Sequence, residues 1–242
     1  MIWRKEHAMF AVYKKELRSY FTTPLGYIFC AVYLAISGFM LSVFTVHSQS
    51  VDVSGYFSLM IYCNIILIPI LTMKSFSEER KLKTEQLLIT SPVSIPSLVT
   101  AKFLASYTIY ALSMLVSCLY ILGLRSYGTV NAPKTLGCIF AMLLVGMSFV
   151  AVGIFISSLT DNTVTAAVGT MGTLLLMAFA SVLNSRIDVY IIRQILSWVS
   201  VYSRYQYFTY GLFDVSAVLY YISVTVVFLF LAVRVHDRRR WA

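Results

Sequence analysis

The sequence predicts an all-α integral membrane protein, on three observations. Hydrophobic residues make up 59% of the 242-residue chain and charged residues only 12%, where a soluble domain carries about a quarter charged. Mean hydropathy is +0.80. The apolar residues fall into six runs, approximately Leu25 to Val46, Tyr56 to Met73, Leu98 to Leu124, Thr135 to Leu159, Thr163 to Leu183 and Val215 to Val233. Such runs have spanning length, since about 20 residues rising 1.5 Å each cross roughly 30 Å of hydrocarbon. Lipid offers the backbone no hydrogen-bond partner, so each run must be a helix. The period-two alternation of a membrane barrel is absent.

Ahead of the first run, Ile2 to Phe21 reads as an amphipathic interfacial helix. Phe10, Tyr13, Leu17 and Tyr20 or Phe21 lie near one face, with Lys14, Lys15 and Arg18 on the other. Pro24 separates it from the first span, which bounds an N-terminal segment 1–24. No short apolar core ending in small residues marks a cleavable signal. In the second span Asn64 is the only strongly polar side chain well inside the run.

Between the second and third spans, Ser75 to Pro92 is charged and has helix signals. Ser75 and Glu78 make a capping-box pattern, Glu78 and Glu79 suit the positive end of a helix, and Glu79 with Lys83 and Lys81 with Glu85 are spaced i, i+4. Ser91-Pro92 stops it. Each pair contributes about 0.2–0.5 kcal/mol, too little to hold the helix in water, so Leu82, Leu87, Leu88 and Ile89 need a surface to bury against. A two-residue link would have reversed the chain. The segment therefore reads as the contact with a soluble partner.

The third span carries Ser106, Tyr110, Ser113 and Ser117 at spacings of four, three and four, a single helical stripe that lines a path or packs against another helix. Gly153 and Ser157 in the fourth span, and Thr165, Gly169 and Thr173 in the fifth, form small-residue lines that allow close helix approach within the chain or between subunits. Asp161-Asn162 is a short capping turn. The stretch 184–214 is rich in Tyr and too interrupted to span. It reads as short re-entrant or interfacial helices, with Ile187, Ile191, Ile195, Trp198 and Tyr202 along one side.

Of 19 Lys and Arg residues, all but Arg125, Lys134, Arg186, Arg193 and Arg204 fall beside the two termini or the Ser75–Pro92 segment. Positive loops resist translocation, so both termini and that segment are expected on the cytoplasmic side of a bacterial-type cytoplasmic (inner or plasma) membrane. The net charge of +9 then reflects topology and attraction to anionic lipid headgroups, and no nucleic acid is expected as a partner.

Chemistry is sparse. Cys30, Cys63, Cys118 and Cys138 are widely and irregularly spaced inside apolar runs, which fits buried thiols and neither a disulfide ladder nor a zinc pattern. His7, His47 and His236 are isolated from one another. Gly123 to Gly128 is followed by Thr129-Val130 where a phosphate loop requires Lys-Ser or Lys-Thr. No acidic residue or histidine lies at depth for a proton or ion relay. The expectation is no catalytic residue, no metal and no cofactor in this chain.

Three motifs together resemble the type-2 ABC exporter permeases, closest to the gliding-motility-type branch. They are Lys14-Lys15-Glu16-Leu17-Arg18 before Pro24; Glu78-Glu79-Arg80 through Thr84-Glu85-Gln86-Leu87-Leu88 to Ser91-Pro92-Val93-Ser94 and Lys102; and Ser203 to Phe208 with Gly211 and Asp214. The resemblance covers essentially the whole chain as a single permease domain, 1–242. It implies six helices per subunit, an N-terminal interface helix, a cytoplasmic coupling helix over 75–92 and short outer helices over 184–214. It further implies that Glu78, Glu79, Arg80, Thr84, Glu85, Leu87 and Leu88 couple the chain to a separate ABC ATPase that binds ATP and Mg. Ser106, Tyr110, Ser113 and Ser117 are then candidate pathway residues, and Gly153, Ser157, Gly169 and Thr173 candidates for a homo- or heterodimer interface. The function so implied is export of a hydrophobic or amphipathic substrate. The alternative is a non-transporting scaffold or mechanotransmission subunit driven by an ABC ATPase, against which the small outer loops argue.

Overall fold

The computed structural model describes residues 2–43, 52–82, 94–123, 131–184, 200–211 and 213–240. Among them the order is α1 (Ile2–Thr22), α2 (Pro24–Leu41), α3 (Ser54–Thr72), α4 (Lys74–Lys81), α5 (Ile95–Ser117), α6 (Leu119–Gly123), α7 (Ala132–Leu159), α8 (Thr163–Asn184), α9 (Val201–Thr209) and α10 (Val215–Arg240). Six helices, counting α3 and α4 as one, are long and apolar enough to cross a membrane. The chain is an all-α integral membrane protein. Lys102 on α5 reaches Glu16 on α1, and His236 on α10 stacks 4.4 Å from Phe76 on α4, so α1 and the last turns of α10 share one end of the bundle, the terminal end.

Local chemistry sets the boundaries. Thr23 is extended and Pro24 opens α2, where a missing N–H costs nothing. Asp52 accepts from the Ser54 N–H at 3.0 Å ahead of α3, and Asn131 caps α7 by accepting from the Lys134 N–H at 3.3 Å. Asn162 accepts from the Val164 N–H at 2.9 Å at the start of α8, the capping role expected of this turn. The third span begins at Ile95, earlier than the apolar run alone indicates, because Pro96 fits the first helical turn. The sixth continues to Arg240. Within 184–214 the described helix is α9, capped by Ser200; residues 185–199, with Ile187, Ile191, Ile195 and Trp198, lie outside the described residues.

At the centre is α7, with 67% of its most apolar window buried, against 28% for α2 and α8 and 22% for α10. Lipid tails are as apolar as leucine, so helices associate through close van der Waals contact and not through hydrophobic drive. Two glycines provide that contact. A methyl on Gly146 would lie 1.9 Å from the Tyr110 ring of α5, and one on Gly153 2.2 Å from Thr72 Oγ1 of α3. The fifth-span line is used the same way: a methyl on Gly169 would lie 3.1 Å from Ile156 of α7, and the half-buried Thr173 hydroxyl donates to the Gly169 carbonyl at 2.9 Å. Gly153, Ser157 and Gly169 therefore face partners inside the same chain. Spacing alone cannot say which helix a small residue approaches.

The bundle's interior is partly polar. Ser106, Tyr110, Ser113 and Ser117 are all buried. Ser106 bonds the Tyr20 hydroxyl at 2.9 Å, Tyr110 donates to the Met142 carbonyl at 3.1 Å, Ser113 donates to the Ile109 carbonyl at 2.9 Å and Ser117 to that of Met114 at 2.7 Å. Asn64 donates to the Tyr110 hydroxyl at 3.2 Å. As built, the stripe is a packing seam between helices of one chain. The outside is apolar instead, with Val164, Val168, Leu176 and Phe179 of α8 and Val226 and Phe230 of α10 exposed, as lipid requires. The four cysteines are free thiols, with Cys138 fully buried.

Candidate coupling site

The charged segment does not start as its sequence suggests. Met73 is the residue before α4 and remains right-handed helical (φ −55°, ψ −34°), so α4 prolongs the second span instead of opening after a capping box. The Ser75 side chain makes no cap; it is buried. The joint is nonetheless imperfect. Pro69 sits inside α3, and the N–H groups of Phe76 and Ser77 find a partner on a neighbouring helix. Both are received by the Ser157 hydroxyl oxygen of α7, at 3.1 and 3.2 Å, and that hydroxyl donates to the Met73 carbonyl at 3.2 Å. Ser157 thus caps α4 from a neighbouring helix, meeting donors that would otherwise be orphaned.

Six further contacts hold α4. Lys102 of α5, with a side chain 1% exposed, stands 2.8 Å from Glu79 and 3.1 Å from Glu16 of α1, and donates to the Ser75 carbonyl at 2.8 Å. Its ammonium also lies 5.0 Å from the centre of the Phe76 ring. Arg80 pairs with Asp161 in the α7–α8 turn and donates to the Leu159 carbonyl at 3.1 Å. The Phe76 ring also meets His236 of α10, tilted, with centroids 4.4 Å apart. Glu78, by contrast, is half exposed and pairs loosely with Lys74 at 3.7 Å.

So α4, eight residues long, touches α5, α7, the α7–α8 turn and α10, and Lys102 links it to α1. A buried ammonium between two carboxylates resists displacement, because separating any member leaves an uncompensated charge at low dielectric. Displacement of α4 would have to break these contacts together. Past it, Leu82 is 65% exposed at the end of the helix. Among the described residues no group of three or more His, Cys, Asp or Glu side chains could hold a metal.

Of the predicted coupling residues, the structure brings Glu79 and Arg80 into this collar and leaves Glu78 at its edge. Thr84, Glu85, Leu87 and Leu88 lie outside the described residues. Sequence reasoning missed Lys102, Glu16 and Ser157 as members. Lys102 carried a readable signal, as a lysine seven residues into a helix of spanning length needs a partner.

The fold and the site define a multi-pass helical membrane protein with a clamped helical extension at one end. The family model described as ABC-2 family transporter protein matches residues 19–235, and the chain belongs to that family. It is a transmembrane subunit of an ABC transporter, in a family that associates with ABC ATPase subunits. A comparison with curated proteins gives no match.

Proposed function

We propose that this subunit converts ATP-driven movement of a separate ABC ATPase, which binds the ATP and Mg, into export of a hydrophobic or amphipathic substrate, working as one of a pair of permease subunits. The observation that carries the reading is α4, whose exposed end at Leu82 leads into the segment 83–93 while its body is locked to α1, α5 and α7. In this reading the segment 75–92 is the coupling helix and docks on the ATPase, with Glu78 at its accessible edge. Both termini are cytoplasmic, because that side collects most of the Lys and Arg. By its motifs we group the chain with the gliding-motility-type branch, a statement of descent and not of gliding.

The test uses a cysteine-free variant carrying Leu82→Cys, co-expressed with its partner ABC ATPase. A membrane-impermeant maleimide should label this residue only from the cytoplasmic side, and a short bifunctional reagent should join it to the ATPase. Labelling from outside would reverse the orientation. Cytoplasmic labelling with no crosslink, either here or from Glu78→Cys, would remove the docking role.

A further inference from the structure

At the terminal end, α7 and α10 line an open cavity of about 740 Å³ with Phe155, Leu231, Arg234, Val235, Asp237 and Arg238. Its lining changes character along α10, from Leu231 and Val235 to the ionic side chains of the last turns. The Arg234 guanidinium lies 4.9 Å from the centre of the Phe230 ring, one turn earlier on the helix. Helical side chains lean towards their own N-terminus, which on α10 is the direction of the membrane. The cation therefore rests on an aromatic ring that is itself exposed on the lipid-facing side. Among the described residues neither Arg234 nor Arg238 has a carboxylate within salt-bridge distance, and neither does Asp237 an ammonium or guanidinium.

We propose that this cavity binds one anionic phospholipid, its phosphate between Arg234 and Arg238 and an acyl chain along Phe155 and Leu231. Guanidinium forks match phosphate oxygens two at a time, and arginine stems cover apolar surface while their heads stay at headgroup level. Two guanidiniums against one carboxylate leave the site at +1, which favours a headgroup with net negative charge over a zwitterionic one. The apolar wall continues into the exposed face formed by Val226, Val227 and Phe230, so a chain can enter from the bilayer side. A soluble anion would use only the ionic part. The site depends on α10 spanning the membrane and not on which side its end faces, so it stands apart from the coupling role of α4.

The experiment is native mass spectrometry of the full chain, purified in an uncharged detergent and offered phosphatidylglycerol and phosphatidylcholine at equal concentration. Phosphatidylglycerol should be retained preferentially. Arg234→Gln with Arg238→Gln should lower its retention on the order of twentyfold, at about fivefold for each arginine near a membrane surface. Asp237→Asn should raise it by a similar single step, a gain that a purely structural role does not give. Arg18→Gln, exposed on α1, serves as the control and should change nothing. If the double variant does not fold, Phe230→Ala reads the same site with both charges kept and should cut retention a fewfold. Equal retention of the two lipids, a loss no larger than in the Arg18 control, complete displacement by millimolar inorganic phosphate, or protection of the arginines by the ATPase instead of by lipid would each overturn the proposal.

Discussion

Lys102 and Glu79 stand 2.8 Å apart although one belongs to the third span and the other to the extension of the second. Glu16, on the N-terminal helix, completes the group from the opposite side at 3.1 Å. A single ammonium thus joins three elements that the chain delivers separately. Its side chain is almost wholly withdrawn from solvent, so the attraction is weakly screened and the desolvation cost of losing a partner is large.

Lys102→Met leaves two carboxylates facing one another without their cation. Stability should drop by about 3–5 kcal/mol, the cost of breaking a buried ion pair from one side. A lowered thermal midpoint in detergent reads this out. Adding Glu16→Gln and Glu79→Gln to the same chain should recover most of the loss, since no charge is then stranded. A single variant as stable as the parent would mean that water reaches the cluster.

Gly153→Ala places a methyl 2.2 Å from Thr72 Oγ1, and the cost of such overpacking is about 1–3 kcal/mol. Thr72→Ala in the same chain should relieve only part of it, because the Thr72 Cβ still stands 2.8 Å from the added methyl. Gly172→Ala makes the opposite case, because nothing lies within 4 Å of the added carbon. There the gain in helix propensity, up to about 1 kcal/mol, should show as an unchanged or raised midpoint. Equal losses at the two glycines would refute the packing assigned to α7.

Asp52 lies just ahead of α3, beyond the apolar run. Partial burial pushes its carboxyl up, but hydrogen bonds from the Ser54 hydroxyl, the Lys134 ammonium and the Ser54 backbone outweigh it and hold the group below its ordinary value. The Lys134 contacts are 2.9 and 3.1 Å. A depressed carboxyl contributes stability that is fully present above its unfolded-state value, near about 3.9, and is lost as pH falls through the lower folded-state value. The midpoint difference between the parent and Asp52→Asn should accordingly persist at neutral pH and vanish in strong acid. A difference that grows on acidification would contradict the assignment.

The spans were legible because the bilayer imposes a length and a polarity that no short loop can imitate. The α4 joint was not. Ser75 and Glu78 have the spacing of a capping box, yet a box forms only where backbone donors are orphaned, and here Met73 carries the helix onward while Ser157 meets the donors from α7. Gly153 and Ser157 show the same gap in information: a small-residue line announces close approach without naming the helix approached. Lys102 was counted among the charges that orient the chain, and only the third dimension shows it turned inward to Glu16 and Glu79. The role of Arg80 likewise depends on Asp161, a residue from a turn two spans away.

The hydroxyls buried along α5 bear on how such a bundle can sit in an energised membrane. Ser106, Ser113 and Ser117 each donate to a carbonyl of their own helix, three or four residues back, and Tyr110 donates to the Met142 carbonyl. A Grotthuss chain needs each group to accept a proton from one neighbour and hand it to the next, and these protons point into carbonyls that hand nothing on. No carboxylate or imidazole on this stripe can store a proton midway. The seam gives the bundle cohesion, with its hydroxyl protons spent on carbonyls and not on a relay along the stripe.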